Sequence, residues 1–228
     1  MSDSQPAIQP ADAVVPAAEA ARYALLRRLA PSMRHHLVVN LQPIGMVYEI
    51  MDRRLRAPEP NFAEIKDGAH KINRYARAAL ASCVDVVTWL SPDDAARCTA
   101  AQGIAECLSL IATGFTFRGY NLRDESTDVP GEVRRASFRN VVTGAFLWVS
   151  DEHPPPAEVF VRTEGTNEGL VVGLSLRPAE GDATFSTAPS YRPLTWADLQ
   201  ALAAADRVEL ARDGSSVRIT MPWALATA

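Results

Sequence analysis

An α plus α/β sandwich is the fold class that the sequence predicts. A long helical hairpin forms a dimeric four-helix bundle with a second copy, and an α+β lobe follows it. Three observations predict this. Leu37, Leu41, Ile44, Tyr48, Met51 and Leu55 recur at spacings of 4, 3, 4, 3 and 4. That is the heptad signature of a helix burying one stripe against other helices. A second register of Phe62, Ile65, Ala69, Ile72, Ala76, Ala79, Cys83, Val86 and Leu90 repeats 3 and 4 through eight consecutive steps. Beyond Ser91-Pro92-Asp93-Asp94 the pattern changes to alternating helical and strand-like segments, as a sheet covered by helices requires.

In chain order, residues 1–16 are Ala, Pro, Ser and Asp with little to bury, and read as a disordered tail. Residues 17–91 are the hairpin domain. Its first helix gathers strong helix formers from Ala17. Pro31 either kinks that helix or opens a new one near Ser32. Leu26, Ala30 and Met33 continue the apolar stripe upstream, with a stutter at the four-residue step from Met33 to Leu37. Pro58-Glu59-Pro60 ends the helix, and Asn61 with Glu64 reads as the capping box of the second. A hairpin buries one stripe per helix, so Leu80, Val84 and Val87 call for a second copy to cover them.

Residues 92–228 are the lobe. Helices are expected at 98–114, 138–149 and 196–205, the last capped by Thr195. Strands are expected near 120–122, at 158–163 and at 170–176 around a Gly165–Gly169 turn. A final hairpin pairs 208–211 with 216–221 around Asp213-Gly214.

Composition narrows the function classes. A formal charge of −4 over 228 residues gives no basic footprint for nucleic acid. Three cysteines without a C-x-x-C pattern read as small reduced core residues of a cytoplasmic protein. No apolar run approaches the roughly 18 residues of a bilayer span, and Ser2-Asp3-Ser4 stands where a signal peptide has basic residues. No membrane partner is expected.

The candidate site lies in the first heptad helix, at Met33-Arg34-His35-His36-Leu37-Val38-Val39-Asn40-Leu41-Gln42-Pro43-Ile44. His35 lies two positions from both Met33 and Leu37, about 200° round the helix from each, and so points away from the buried stripe. Val38, Val39 and Met46 share that outward face at offsets of 3, 4 and 11. Apolar residues on a wet face suggest either a partner surface, completed by Arg34 and Gln42, or a face covered by a second bundle helix or by the α+β lobe. His70 reads as a hairpin surface residue and His153 as a solvated loop residue, while Trp148 and Trp196 read as core. His35, His36 and His70 make no metal site, since neighbours on a helix diverge by about 100°.

These residues resemble the dimerisation and phosphoacceptor hairpin of histidine kinases, whose motif is H-[E/D]-L-x-x-[P/N]-L-x-x-I. His35 and the apolar positions Leu37, Leu41 and Ile44 match it. A subfamily variant, H-R-V-K-N-N-L-Q-x-I, also matches Asn40, Leu41, Gln42 and Ile44. Both place the phosphoacceptor at His35. The lobe is similar in order of elements to the kinase ATP-binding lobe, a GHKL-like domain, but degenerate. The paired asparagines of the family's nucleotide helix have Gly144 and Trp148 at the matching positions. Arg177-Pro178-Ala179-Glu180-Gly181 replaces the adenine-binding D-x-G-x-G turn, and Tyr191-Arg192-Pro193-Leu194-Thr195 replaces the glycine-rich phosphate loop. Phosphates need bare backbone N–H groups and close approach, which Arg-Pro-Leu denies.

Together these features resemble the kinase-like histidine phosphotransferases of bacterial phosphorelays, including the ChpT type. The resemblance implies a homodimer whose His35 takes phosphoryl from one receiver-domain aspartate and passes it to another. It implies no ATP and no metal of its own, with Mg²⁺ supplied by the response-regulator partner. His36 stands where kinases place an acidic residue that orients the histidine. Val39, at the fourth position after His35, lacks the amide or hydroxyl associated with phosphatase activity. Two rivals stand beside this reading: a non-catalytic pseudokinase scaffold that binds a receiver or kinase, and a kinase with a diverged nucleotide site.

Overall fold

The computed structural model describes residues 11–180 and 191–224. Two compact units divide the chain: residues 30–92, and residues up to Leu29 together with those from Asp93 onward. One helix, α1 (Ala11–Leu55), contributes to both. This corrects two expectations. Residues 11–16, read as tail, are already helical, and the part of α1 before Ala30 belongs with the lobe rather than with a hairpin starting at 17. The rest of the expected tail, residues 1–10, lies outside the described residues. Pro31 neither breaks α1 nor restarts it; it removes one backbone donor from a helix that continues through it.

In the hairpin unit, α1 runs to Leu55, where Arg53 and Arg54 complement the negative end of the helix dipole. α2 (Phe62–Leu90) starts at Asn61, whose side-chain oxygen accepts from the amides of Ala63 at 3.1 Å and Glu64 at 3.4 Å. Glu64 accepts from the Asn61 side-chain amide at 3.1 Å, so the cap forms without the reciprocal backbone bond of a full capping box. Arg54 and Glu64 pair across the turn at 2.9 Å. Gly68 lets the helices approach, since a Cβ there would stand 2.5 Å from Met51 Cγ.

Each predicted register splits into two columns of seven-residue spacing. Leu37, Ile44 and Met51 on α1, with Ile65, Ile72, Ala79 and Val86 on α2, are buried or half-buried. Leu41, Tyr48 and Leu55, with Phe62, Ala69, Ala76, Cys83 and Leu90, are exposed. Cys83 therefore departs from the expected core placement, while Cys98 and Cys107 are buried.

The lobe has a five-stranded sheet in the order β2-β4-β5-β7-β6, from β2 (Tyr120–Asp124), β4 (Ala157–Gly165), β5 (Gly169–Pro178), β6 (Glu209–Asp213) and β7 (Ser216–Pro222). β2 runs parallel to β4, and every other pairing is antiparallel. A two-residue ladder of β1 (Arg97–Cys98) and β3 (Val133–Arg134) stands apart. α3 (Ala100–Phe117), α4 (Arg135–Glu152) and α5 (Trp196–Asp206) pack against the sheet. α4 makes the crossover between the parallel strands and is buried continuously from Ala136 to Ser150. Thr99 and Thr195 each close a capping box on α3 and α5.

Gly119 turns the chain from α3 into β2 at φ +86°, which side-chain-bearing residues avoid. Gly214, at φ +54°, does the same between β6 and β7. One expectation fails at α3. Its 18 residues are long and apolar enough, by length and composition, to cross a membrane. Ile104, Cys107, Leu110, Ile111 and Phe115 are buried within the lobe, as in a core helix.

The stretch of α1 that joins the lobe is anchored by charge. Arg28 donates to both carboxylate oxygens of Asp151, at 2.6 and 2.9 Å. Their side chains are 4% and 2% exposed. Asp151 also accepts from Arg118 at 3.2 Å and from the Leu194 amide at 3.1 Å. Nearby, Arg27 lies over the Tyr191 ring at 5.4 Å, and Tyr23 meets that ring edge-on. Ala21, Ala24, Leu25 and Leu29 are buried on the same side of α1.

Candidate functional site

His35 is exposed on α1, as the spacing requires, and His36 is half-buried. Among the described residues neither imidazole makes a hydrogen bond or an ion pair; the two ring centroids lie 6.4 Å apart at 53°. The rings are thus not stacked, and the His35 nitrogens are open to an incoming group. An unprotonated imidazole nitrogen is a competent nucleophile near neutral pH. His36 gives no orienting hydrogen bond to His35, so the role of the family's acidic residue is not reproduced by contact.

The surface around His35 is apolar for a wet helix face. Val38 is 46% exposed, Val39 50% and Met46 58%. Arg34 and Gln42 are exposed beside them. Val38, Val39, Gln42 and Met46 therefore share an accessible face of α1 with His35, and Arg34 is exposed about 100° round the helix from it.

Asn40 is the member of this neighbourhood whose structural role the spacing did not disclose. Its side-chain amide donates to the His36 carbonyl at 3.0 Å and to Ser82 Oγ at 2.9 Å. The signal was available as a polar residue at 40 and another at 82 within otherwise apolar positions. Nothing in the sequence indicated that the two meet.

Other candidates fall elsewhere. His70 is exposed on α2. His153, expected to be solvated, is half-buried at the end of α4; its carbonyl accepts from the Tyr120 hydroxyl at 2.7 Å, and its Nε2 is buried without a partner. Trp148 is buried, its ring centroid 5.0 Å from that of the half-buried Trp196. Among the described residues no three His, Cys, Asp or Glu side chains group closely enough to hold a metal ion.

On α4, the Gly144 position is closed by α5. A Cβ there would stand 3.2 Å from Leu199 Cδ1 and 3.3 Å from Leu202 Cδ1. Asn140, one turn earlier, donates to Asp206 at 3.3 Å. Of the two segments that replace the family's nucleotide loops, residues 177–180 and 191–195 are described, whereas Gly181 lies outside the described residues.

No protein-family model matches the chain, and no curated protein matches its sequence. Among solved structures, one described as a bacterial phosphotransferase aligns over 96% of this chain and all of its own length. Its identity is 12% and its TM-score 0.40. The histidine kinase AdeS of Acinetobacter baumannii aligns over 81% of this chain and 98% of its own, at 11% identity and TM-score 0.37. The histidine kinase ThkA, solved in complex with the response regulator TrrA, aligns over 95% of this chain and 68% of its own. There the identity is 14% and the TM-score 0.42. At TM-scores below 0.5, these likenesses say nothing of the chemistry at His35.

Proposed function

We propose that this protein is a histidine phosphotransferase of a bacterial two-component phosphorelay, of the ChpT type, working in the cytoplasm as a homodimer. One observation carries the reading: His35 is exposed, makes no hydrogen bond or ion pair among the described residues, and is set outside the heptad stripe of α1 within a motif like that of the histidine-kinase phosphoacceptor. In the forward step an unprotonated imidazole nitrogen of His35 attacks the phosphorus of a receiver's aspartyl phosphate. The N–P bond forms, the P–O bond to the aspartate breaks, and the carboxylate leaves with the electron pair. The proton on the other nitrogen of the attacking imidazole passes to solvent, leaving neutral phosphohistidine. Return transfer to a second receiver reverses these steps. The receiver's Mg²⁺ stabilises the charge on the transferring group, so this chain has only to present a rigid, accessible imidazole. Arg34, Val38, Val39, Gln42 and Met46 form the receiver-docking face.

Two features support transfer without ATP. Leu199 and Leu202 crowd Gly144, which stands where the resembling kinases carry the first of their paired asparagines, and the Arg192-Pro193-Leu194 segment stands in place of a glycine-rich loop. Support for the homodimer comes from the open heptad column. Leu41 is 50% exposed and Tyr48 62%, and a second hairpin would cover both.

Receiver domains radiolabelled at their aspartate test the proposal. Wild-type protein is expected to gain acid-labile label, His35→Ala none, and His36→Ala some, with no label from ATP in any of them. Label on His35→Ala, or none on wild type, overturns the assignment. In the latter case receiver binding that survives His35→Ala identifies a scaffold instead.

A further inference from the structure

We infer that Asn40 and Ser82 form a clamp that positions the phosphoacceptor turn, an inference that rests on the reading of His35 given above. Seven-residue columns run through both helices of the hairpin unit. On α1, Met33 and Val47 flank Asn40; on α2, Gly68, Tyr75 and Trp89 accompany Ser82. Met33, Gly68 and Trp89 are buried, and Val47, Tyr75, Asn40 and Ser82 half-buried. A polar pair in such columns weakens the apolar interface, and its best-attested use is to fix the register of one helix against another.

The register matters here because of what stands on either side. Pro31 precedes His35 by four residues and Pro43 follows it by eight, both inside α1. Proline has no N–H to give, so the carbonyls of Arg27 and Val39 lack their helical donors. The turn with both histidines lies between these two weak points. A primary amide has two hydrogens, and Asn40 uses them in opposite directions: one to the His36 carbonyl, the other to Ser82 across the hairpin. The backbone of the histidine turn is thereby tied to α2. A slip of one residue would move His35 about 1.5 Å along the axis and about 100° round it. In-line transfer between two proteins does not tolerate that, since about 1 Å of misplacement can cost about 100-fold in rate.

Both residues act through His35 and are positioning residues. The test uses the full chain with Asn40→Leu, Ser82→Ala, the double variant and Ser82→Thr. Three quantities are read: labelling by phosphoramidate, single-turnover transfer with the receiver that exchanges phosphoryl with wild type, and affinity for that receiver. Phosphoramidate is a small donor whose P–N bond breaks with loss of ammonia as the imidazole N–P bond forms, so it reports the reactivity of His35 itself.

Asn40→Leu and Ser82→Ala are expected to slow receiver transfer at least tenfold. The double variant should be no slower than either single one, and Ser82→Thr should restore the rate. Phosphoramidate labelling and receiver affinity should stay within twofold of wild type, and Asn40→Leu should melt no lower. Transfer at the wild-type rate in Asn40→Leu overturns the clamp while leaving the phosphotransferase reading intact. So does a loss in proportion to a lowered melting temperature. A wild type that takes label from neither donor removes that reading, and the clamp with it.

Discussion

Asp151 is a buried carboxylate on which three donors meet. Arg28, Arg118 and the Leu194 amide all converge on a side chain that is 2% exposed. Removing one partner from a buried ionic group leaves the others unpaired, at about 3–5 kcal/mol. Asp151→Asn is therefore expected to lower unfolding free energy by about that amount in urea titrations, with the loss in the lobe. A second carboxylate gives a pH signature. The Arg192 guanidinium, bonded to Asp198 at 2.7 and 2.8 Å, holds its carboxyl down at about 2, from an ordinary 3.8. Desolvation opposes the shift, and Thr195 adds to it. A value lower in the folded state means stability that is complete above about pH 4 and lost as pH falls towards 2. Wild type should thus exceed Asp198→Asn in stability at pH 7, and the gap should close below pH 4. The Arg28–Asp151 pair was not legible in the sequence, its members being 123 residues apart, whereas the Thr195 cap and the outward placement of His35 depend on spacings within one turn.

At the scale of elements, the heptads of α1 and α2 were legible because amphipathic periodicity is a local property. The same periodicity concealed which half of each stripe the hairpin itself covers. Leu41, Tyr48 and Cys83 are on the uncovered half. If a second copy covers it, charge at Leu41 and Tyr48 is intolerable. Leu41→Glu with Tyr48→Glu should give a monomer by analytical ultracentrifugation while retaining helical content. Cysteine reactivity gives an independent measure. Burial pushes the Cys98 thiol to about 11 and the Cys107 thiol to about 12, so neither reacts until the lobe opens. Cys83 should alkylate slowly in wild type and rapidly in the doubly charged variant; equal rates would count against the shared interface. The parallel pairing of β2 with β4 and the two-residue β1–β3 ladder escaped the sequence for a different reason. Each depends on partners brought together by α4 or by long loops, and two-residue strands leave no period to read.

Over the whole molecule, the main departure from the sequence reading is that α1 serves both units. Composition placed the start of the hairpin domain at residue 17, where strong helix formers begin, and the structure divides at Leu29 and Ala30. The reason is energetic. Leu25 and Leu29 are 0% and 2% exposed, and each buried leucine is worth about 1.5–3 kcal/mol. With Ala21, Ala24 and the Arg28 ion pair, residues 18–29 supply a share of the lobe's cohesion comparable to the total stability of a small domain, about 5–15 kcal/mol. A chain starting at Ala30 should therefore keep its hairpin helices but lose the cooperative unfolding transition of the lobe. A chain starting at Val15 should keep both. Near-ultraviolet circular dichroism reads chiefly the lobe, because Trp148 and Trp196 pack there and Trp89 adds the hairpin's share, while the far-ultraviolet signal at 222 nm is dominated by helix. If the Ala30 chain retained a full near-ultraviolet transition, the first turns of α1 would be an ornament of the lobe rather than part of its core.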